Sequence, residues 1–195
     1  DGTWTASPAI SNWTTTSGGI PLASSGRFAV FQGTAGTVSI DNADGDVTAT
    51  GLQFVTSGYV LTGGTLTLTD AERSTIRVGN GTEDGAATVA TIESVIAGTS
   101  GIEKTDYGTL ILSAENTYSG GTTLSGGMLQ ISADGALGDA SGGLTFGAGI
   151  HKCVGMALAR MEIKLAAQEI IRWQTPLAHM RRTATQDHDL FGAPI

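Results

Sequence analysis

The chain has 195 residues, of which 40% are hydrophobic, 14% charged and 6% aromatic, and its net charge is −8 at pH 7. This length and composition suit one domain, or one domain with an appendage. The negative charge and the lack of a basic stripe argue against nucleic acid as a partner, because nothing would neutralise the phosphates. No apolar run approaches the roughly 18–20 residues needed to cross a bilayer, so we expect no membrane-spanning segment. No targeting signal is visible, and a single cysteine excludes an internal disulfide.

The composition changes abruptly after Phe146. Residues 1–146 carry 14 acidic and 4 basic residues, a net charge of −10, whereas residues 147–195 carry 4 acidic and 6 basic residues, a net charge of +2. The first part holds 25 of the 29 glycines, and the second part holds all three histidines and the cysteine. We therefore place a junction at 146/147 and predict a β-rich part over 1–146 and a helical tail over 147–195.

The first part contains short runs in which apolar and polar residues alternate, which is typical of half-buried β-strands. In the run at 108–114 this alternation directs Leu110 and Leu112 to one face and Thr109 and Ile111 to the other. Turn-forming stretches rich in Gly, Asn and Asp separate the runs. The four strand-like runs are GTVSI (36–40), GTLTLTD (64–70), GTLILSA (108–114) and GMLQISA (127–133).

The spacing of the runs carries further information. Leu110 and Leu129 both open the same Gly-x-Leu pattern in two successive runs. A repeat of about 20 residues with glycine at the corners favours a β-solenoid, in which each coil buries its face on the next. A β-sandwich would show the same turn signals and remains the alternative.

Chemical motifs are sparse before Phe146. There is no Gly-x-Ser-x-Gly elbow, and no histidine could activate a serine nucleophile. The acidic turns DNADGD (41–46) and GTEDG (81–85) could offer oxygen ligands to calcium, but their spacing matches no EF-hand loop. We interpret them as solvated turn acids.

The segment GTLILSAENTYSGGTTLSGGMLQISADGALGDASGGLTF (108–146) resembles the passenger-associated repeat of bacterial autotransporters, and the upstream sequence is similar to the same passengers. This resemblance covers about three quarters of the chain. It implies a right-handed parallel β-helix that is displayed at the cell surface or secreted. It implies fold and location rather than an activity.

The segment 146–155, FGAGIHKCVG, resembles the haem-ligand loop of the cytochrome P-450 monooxygenases. A helix is predicted over 154–173, and a thiolate at its N-terminus would be stabilised by the helix dipole and the unpaired N–H groups. The resemblance implies that Cys153 would be the axial ligand of the haem iron, with His151 near a propionate. The residues that it places around the haem are Phe146, Gly147, Gly149, His151, Cys153 and Gly155.

A second stretch of the tail resembles another part of the same family. Glu169 and Arg172 resemble its Glu-x-x-Arg pair, and the following segment would bring Arg181 or Arg182 to a propionate. In that family the Glu-x-x-Arg helix precedes the cysteine loop, whereas here it follows Cys153. We therefore interpret the tail as fragments of a cytoplasmic monooxygenase joined in non-native order, and not as a complete domain.

These observations lead us to expect a mainly β chain: a right-handed parallel β-helix with a C-terminal α-helical tail. We expect a non-catalytic surface or secreted module fused to a non-productive haem-loop fragment, which binds no cofactor stably and can self-associate through open β-helix ends. The alternative is a haem-binding monooxygenase that uses Cys153 as the iron ligand.

Overall fold

The computed structural model describes residues 1–7, 13–14, 21–22, 26–146, 189–190 and 193–194. The chain forms two compact units, Asp1–Gly155 and Met156–Ile195. In the second unit the described residues form two short antiparallel strands, β17 (Asp189–Leu190) and β18 (Ala193–Pro194). The helix predicted over 154–173 lies outside the described residues.

The first unit is a solenoid whose strands lie on three faces. On the first face lie β1 (Gly2–Thr5), β5 (Thr37–Asp41), β7 (Tyr59–Gly63), β10 (Val89–Ile92), β13 (Thr109–Leu112) and β15 (Met128–Ile131). The second face has the first half of β6 (Val47–Phe54), β8 (Thr65–Leu68) and β11 (Val95–Ala97). The third face has β4 (Arg27–Phe31), the second half of β6, β9 (Arg73–Val78), β12 (Gly101–Thr105), β14 (Thr122–Leu124) and β16 (Leu144–Phe146). A small hairpin of β2 (Trp13–Thr14) and β3 (Pro21–Leu22) is not part of these faces.

Successive coils stack in parallel register, as the repeat spacing predicts. Leu110 pairs with Leu129 of the following coil and with Ala90 of the preceding coil. Every strand pair on the three faces is parallel. The β-sandwich alternative is therefore wrong, because sandwich sheets are antiparallel. The fold is a parallel β-solenoid, and the four strand-like runs of the sequence are confirmed as β5, β8, β13 and β15.

Alternate residues of most strands fill the interior of the solenoid. Leu110 and Leu112 are fully buried, whereas Thr109 and Ile111 are partly exposed, as their alternation predicts. Aromatic rings fill the first coils, where Phe31 stacks on Phe54 at 4.7 Å between ring centroids. Trp4, Trp13 and Tyr59 pack around this pair.

Glycine is abundant partly because one corner of the solenoid brings successive coils into backbone contact. Before the third face, Gly101, Gly120 and Gly142 follow one another in successive coils. A Cβ atom on Gly120 would collide with the backbone nitrogen of Gly101, and one on Gly142 would lie 2.5 Å from the nitrogen of Gly121. Only glycine allows this close approach.

Helical structure before Phe146 is limited to short turns in the described residues. Glu83–Ala87 and Asp134–Leu137 each form one 3₁₀ turn. Both coincide with stretches whose composition predicts turns, so the expectation of little helix before Phe146 is confirmed.

Candidate functional site

Phe146 is the one predicted haem-site residue that lies among the described residues. It is the last residue of β16, is partly buried and pairs with Leu124 of the preceding coil. The other predicted positions lie outside the described residues, so their proximity to one another and to haem stays a prediction. They are Gly147, Gly149, His151, Cys153, Gly155, Glu169, Arg172, Arg181 and Arg182.

The acidic turns of the solenoid do not converge. In the part of the chain that the structure describes, no group of three His, Cys, Asp or Glu side chains could hold a metal ion. One of these carboxylates serves its local turn: Asp41 Oδ1 accepts a hydrogen bond from Ala43 N at 2.9 Å. Asp139 does the same with Ser141, and these hydrogen bonds lower the pKa of its carboxyl. The Asp41 contact is of the kind expected for a turn acid.

A groove of about 680 Å³ opens beside the first coil. Phe28, Val30 and Trp13 supply its apolar surface, and Asp1 is the one charged residue among the described residues that line it. The Asp1 carboxylate accepts a hydrogen bond from Thr37 N at 2.8 Å, and Tyr59 donates its hydroxyl to the carbonyl oxygen of Gln32 at 2.7 Å. The Asp1 carboxylate and the Tyr59 hydroxyl are both engaged by backbone groups, and the other polar residues of the described lining are Thr and Gln, so this lining offers no acid–base pair.

The most unusual buried group of the solenoid is Lys104. Its side chain is fully buried, at an inward position of β12 in register with Ile76. The ammonium donates to the carbonyl oxygens of Thr105 at 2.7 Å, Asp106 at 3.1 Å and Gly126 at 3.1 Å. These carbonyls belong to two successive coils, so the lysine joins one coil to the next. Such contacts offset the cost of burying the charge.

Asn116 joins three successive coils through its buried amide. Its Oδ1 accepts from Ile96 N at 2.7 Å in the preceding coil, and its Nδ2 donates to the Ala136 carbonyl at 2.7 Å in the following coil. Asn42 also uses both ends of its amide, but both bonds go to one residue, the N–H and the carbonyl of Thr65. The amide suits this position because it carries a donor and an acceptor on one group.

Tyr118 and Thr122 form a third buried polar contact. Their hydroxyls lie 2.5 Å apart, and Tyr118 is fully buried. Burial raises the pKa of the Tyr118 phenol, and the hydrogen bond with Thr122 partly opposes this. A phenol held in its neutral form by burial serves packing and hydrogen bonding rather than proton transfer near neutral pH.

Sequence reasoning did not identify Lys104, Asn116 or Tyr118. The signal for Lys104 was present, since Lys104 stands at the second position after Ile102 and so shares its face of the strand. Charged side chains are expected on the protein surface. The alternation alone therefore did not predict that Lys104 is buried. Asn116 and Tyr118 lie in a turn stretch, where strand alternation carries no information.

No helix among the described residues is long and apolar enough to cross a bilayer. This agrees with the expectation from the sequence that no apolar run of that length is present.

Comparisons with known proteins agree with the composite reading of the sequence. Residues 102–131 match the family model described as Passenger-associated-transport-repeat, and residues 134–190 match the family model of Cytochrome P450. The chain is 53% identical over 126 residues, 65% of its length, to the "Adhesin BmaC autotransporter" of Brucella suis biovar 1 (strain 1330). It spans 4% of the length of that relative. No solved structure matches the chain significantly.

The two family matches meet inside the solenoid. The cytochrome match begins at Asp134, well before Phe146, and so includes the second 3₁₀ turn and β16. Those residues are integral to the last coil: Ala136 is fully buried, and Leu144 pairs with Thr122. The segment up to Phe146 therefore has the structure of the passenger-like part.

Proposed function

We propose that residues 1–146 form a non-catalytic, passenger-type module of a surface-displayed or secreted protein, and that the tail after Phe146 is a non-productive haem-loop fragment. The observation that carries the proposal is the continuous stacking of coils from β1 to β16. The module provides length and a regular surface, as the repeated coils of solenoids do.

The chemistry of the described residues supports a structural role. Lys104, Asn116 and Tyr118 direct their buried polar atoms at neighbouring coils or turns rather than at a cleft. The groove beside the first coil has an apolar wall, and its Asp1 carboxylate and Tyr59 hydroxyl are already hydrogen-bonded. Catalysis by acid–base or nucleophilic groups needs such side chains to converge on a substrate, and this arrangement is absent from the part of the solenoid that the structure describes.

The location is proposed from the similarity to the Brucella autotransporter adhesin. An export experiment tests it: residues 1–146 replace a solenoid stretch of similar length in that adhesin, and intact cells are treated with protease or an antibody to the insert. Surface exposure of the insert supports the proposal. Retention of the hybrid inside cells, while the unaltered adhesin is exported, contradicts it.

A second candidate function is haem binding by the tail, because residues 134–190 match the cytochrome model. Cys153, with His151 and Arg181 or Arg182, would be the residues to hold the group. When bound, a haem with a thiolate ligand supports oxygen activation. We propose that the tail, residues 147–195, does not achieve stable binding, because a haem cofactor also needs a site that orients it and excludes water, and so short a segment supplies little beyond the ligand. The acidic body, of net charge −10, further disfavours anionic propionates.

We further propose that the module can associate with other chains at its last coil. Strands β15 and β16 each pair with a solenoid strand on one side, and no described strand pairs with their other side. Met128 and Leu144 on these strands are 60% and 42% exposed. An unpaired edge with exposed apolar side chains favours pairing with another chain.

A further inference from the structure

The turn between β9 and β10 contains the one Asn-Gly sequence of the chain, Asn80-Gly81. Both residues are exposed, and Gly81 has a positive φ of 86°. The Asn80 Oδ1 atom accepts two hydrogen bonds from Thr82, one from its backbone N at 3.0 Å and one from its hydroxyl at 2.8 Å. A carbonyl that is held by two donors is polarised, and the same donors stabilise negative charge that develops on its oxygen.

From this geometry we infer that Asn80 is a site of spontaneous deamidation, a chemical modification built into the turn. In this reaction the backbone nitrogen of Gly81 loses its proton to a solvent base and forms a bond to the Asn80 Cγ atom. The bond from Cγ to Nδ2 breaks, and the amide nitrogen takes the electron pair and a proton and leaves as ammonia. Water then opens the cyclic imide at either carbonyl, which yields aspartate or isoaspartate and needs no oxidant, reductant or further reactant.

Three features of the chain favour this position over the other described asparagines. Glycine at 81 has no side chain to hinder the approach of its nitrogen to Cγ. The two donors of Thr82 lie on the oxygen that becomes negative. Asn42 and Asn116, by contrast, are followed by Ala43 and Thr117 and hold both ends of their amides against other coils.

The modification would alter the neighbouring turn. Gly85 of the Glu83–Ala87 turn packs so closely that a Cβ atom there would lie 2.9 Å from Asn80 Oδ1 and 3.0 Å from its backbone nitrogen. Isoaspartate inserts one methylene into the main chain at this tight contact, and either product adds a negative charge beside Glu83 and Asp84. The turn between the third and first faces should therefore loosen as the protein ages.

Peptide mapping by mass spectrometry of the full chain, incubated at pH 8 and at pH 6, tests the inference. The expected result is amide-to-acid conversion at Asn80, faster at pH 8, with labelling by an isoaspartyl methyltransferase at the same peptide. Because the attacking species is a conjugate base, the rate should rise by about tenfold per pH unit. Asn42 and Asn116 should stay intact over the same period. Conversion at those positions at an equal or higher rate, or an intact Asn80, would overturn the inference.

Two variants separate the contribution of the glycine from that of the threonine hydroxyl. Gly81→Ala should slow the conversion by about tenfold through steric hindrance, and Thr82→Val should slow it several-fold because it removes the hydroxyl donor and keeps the N–H. Unchanged rates in both variants would contradict the proposed geometry. Asn80→Asp carries the charge without the inserted methylene, so it should resist proteolysis of the turn better than aged wild-type protein. Equal susceptibility of the two would show that the methylene has no effect.

Discussion

The ammonium of Lys104 lies 3.1 Å from the carbonyl oxygen of Gly126, one coil further along the solenoid. The lysine stem passes through the core at a position where the preceding coil has Ile76. Its charged end reaches the corner that follows β12, where the backbone carbonyls of Thr105, Asp106 and Gly126 accept its hydrogen bonds. The residue thus combines apolar packing with hydrogen bonding across two coils.

The first prediction concerns these hydrogen bonds. Lys104→Met keeps most of the stem but removes the donors, so it should lower the free energy of unfolding by about 1–3 kcal/mol. Lys104→Ala should lower it by about 2 kcal/mol more, because it also leaves a cavity. Denaturant unfolding measures both, and the exposed Arg27→Met is the matched control, expected within about 0.5 kcal/mol of wild type. Wild-type stability in Lys104→Met would show that the carbonyl contacts contribute nothing.

The second prediction concerns Asn116 and its dependence on pH. Asn116→Asp keeps the acceptor for Ile96 N but places a carboxylate oxygen near the Ala136 carbonyl. Burial raises the pKa of the introduced carboxyl above its ordinary value of about 4. Both folded and unfolded states are protonated at low pH, so the variant should lose stability as pH rises through and above that value. Asn116→Ala should lose stability to a similar extent at every pH, and parallel pH profiles for the two variants would contradict the argument.

A third prediction uses the buried phenol of Tyr118. Because burial raises its pKa in the folded state, the unfolded chain releases the phenolic proton first, above about pH 10. In that range the folded state binds more protons than the unfolded state, so stability should fall as pH rises. Tyr118→Phe should remove this contribution, and it should cost about 1 kcal/mol at neutral pH through the lost bond with Thr122. The control is Tyr107→Phe, which changes a side chain that is 41% exposed and should leave the dependence of stability on pH as in wild type. If the profile of Tyr118→Phe coincided with that of the control, the prediction would be wrong.

The parts of the fold that follow strand alternation could be predicted from the sequence. Leu110 and Leu129 pair in register, as their spacing predicts, because the turn between their coils is short. The coils further upstream are longer and irregular, as the pairing of Tyr59 with Ala90 and of Gly2 with Val38 shows. Insertions at solenoid corners change coil length without changing the inward pattern, so spacing alone could not locate these pairs.

The candidate site was harder to predict, for two different reasons. The inward Lys104 follows the alternation but contradicts the expectation that charge is exposed, and only the position of three carbonyls explains it. The haem-loop assignment rests on a motif whose residues after Phe146 lie outside the described residues. Phe146 itself pairs as a solenoid residue with Leu124, which the motif gave no reason to expect.

A fourth prediction concerns self-association at the last coil. Met128→Lys and Leu144→Lys place charges on edge strands, where lysine disfavours pairing with another chain. Sedimentation velocity over a range of concentrations should show less association in each variant than in wild type. Tyr107→Lys changes an exposed ring in the turn before β13, outside the two edge strands, and serves as the control. Equal association in wild type and edge variants would exclude this edge as the contact.

The central claim is that the chain is a structural solenoid module and not a haem-thiolate enzyme. The most direct test is the absorbance spectrum of the full chain after addition of one equivalent of haem, reduction and treatment with carbon monoxide. Cys153 is the chain's one thiol, so Cys153→Ala identifies any signal that depends on thiolate ligation. We predict no stable thiolate-type Soret band, and spectra of wild type and Cys153→Ala that are the same. A stoichiometric thiolate-type band in wild type that is lost in Cys153→Ala would contradict the account and establish the tail as a haem site.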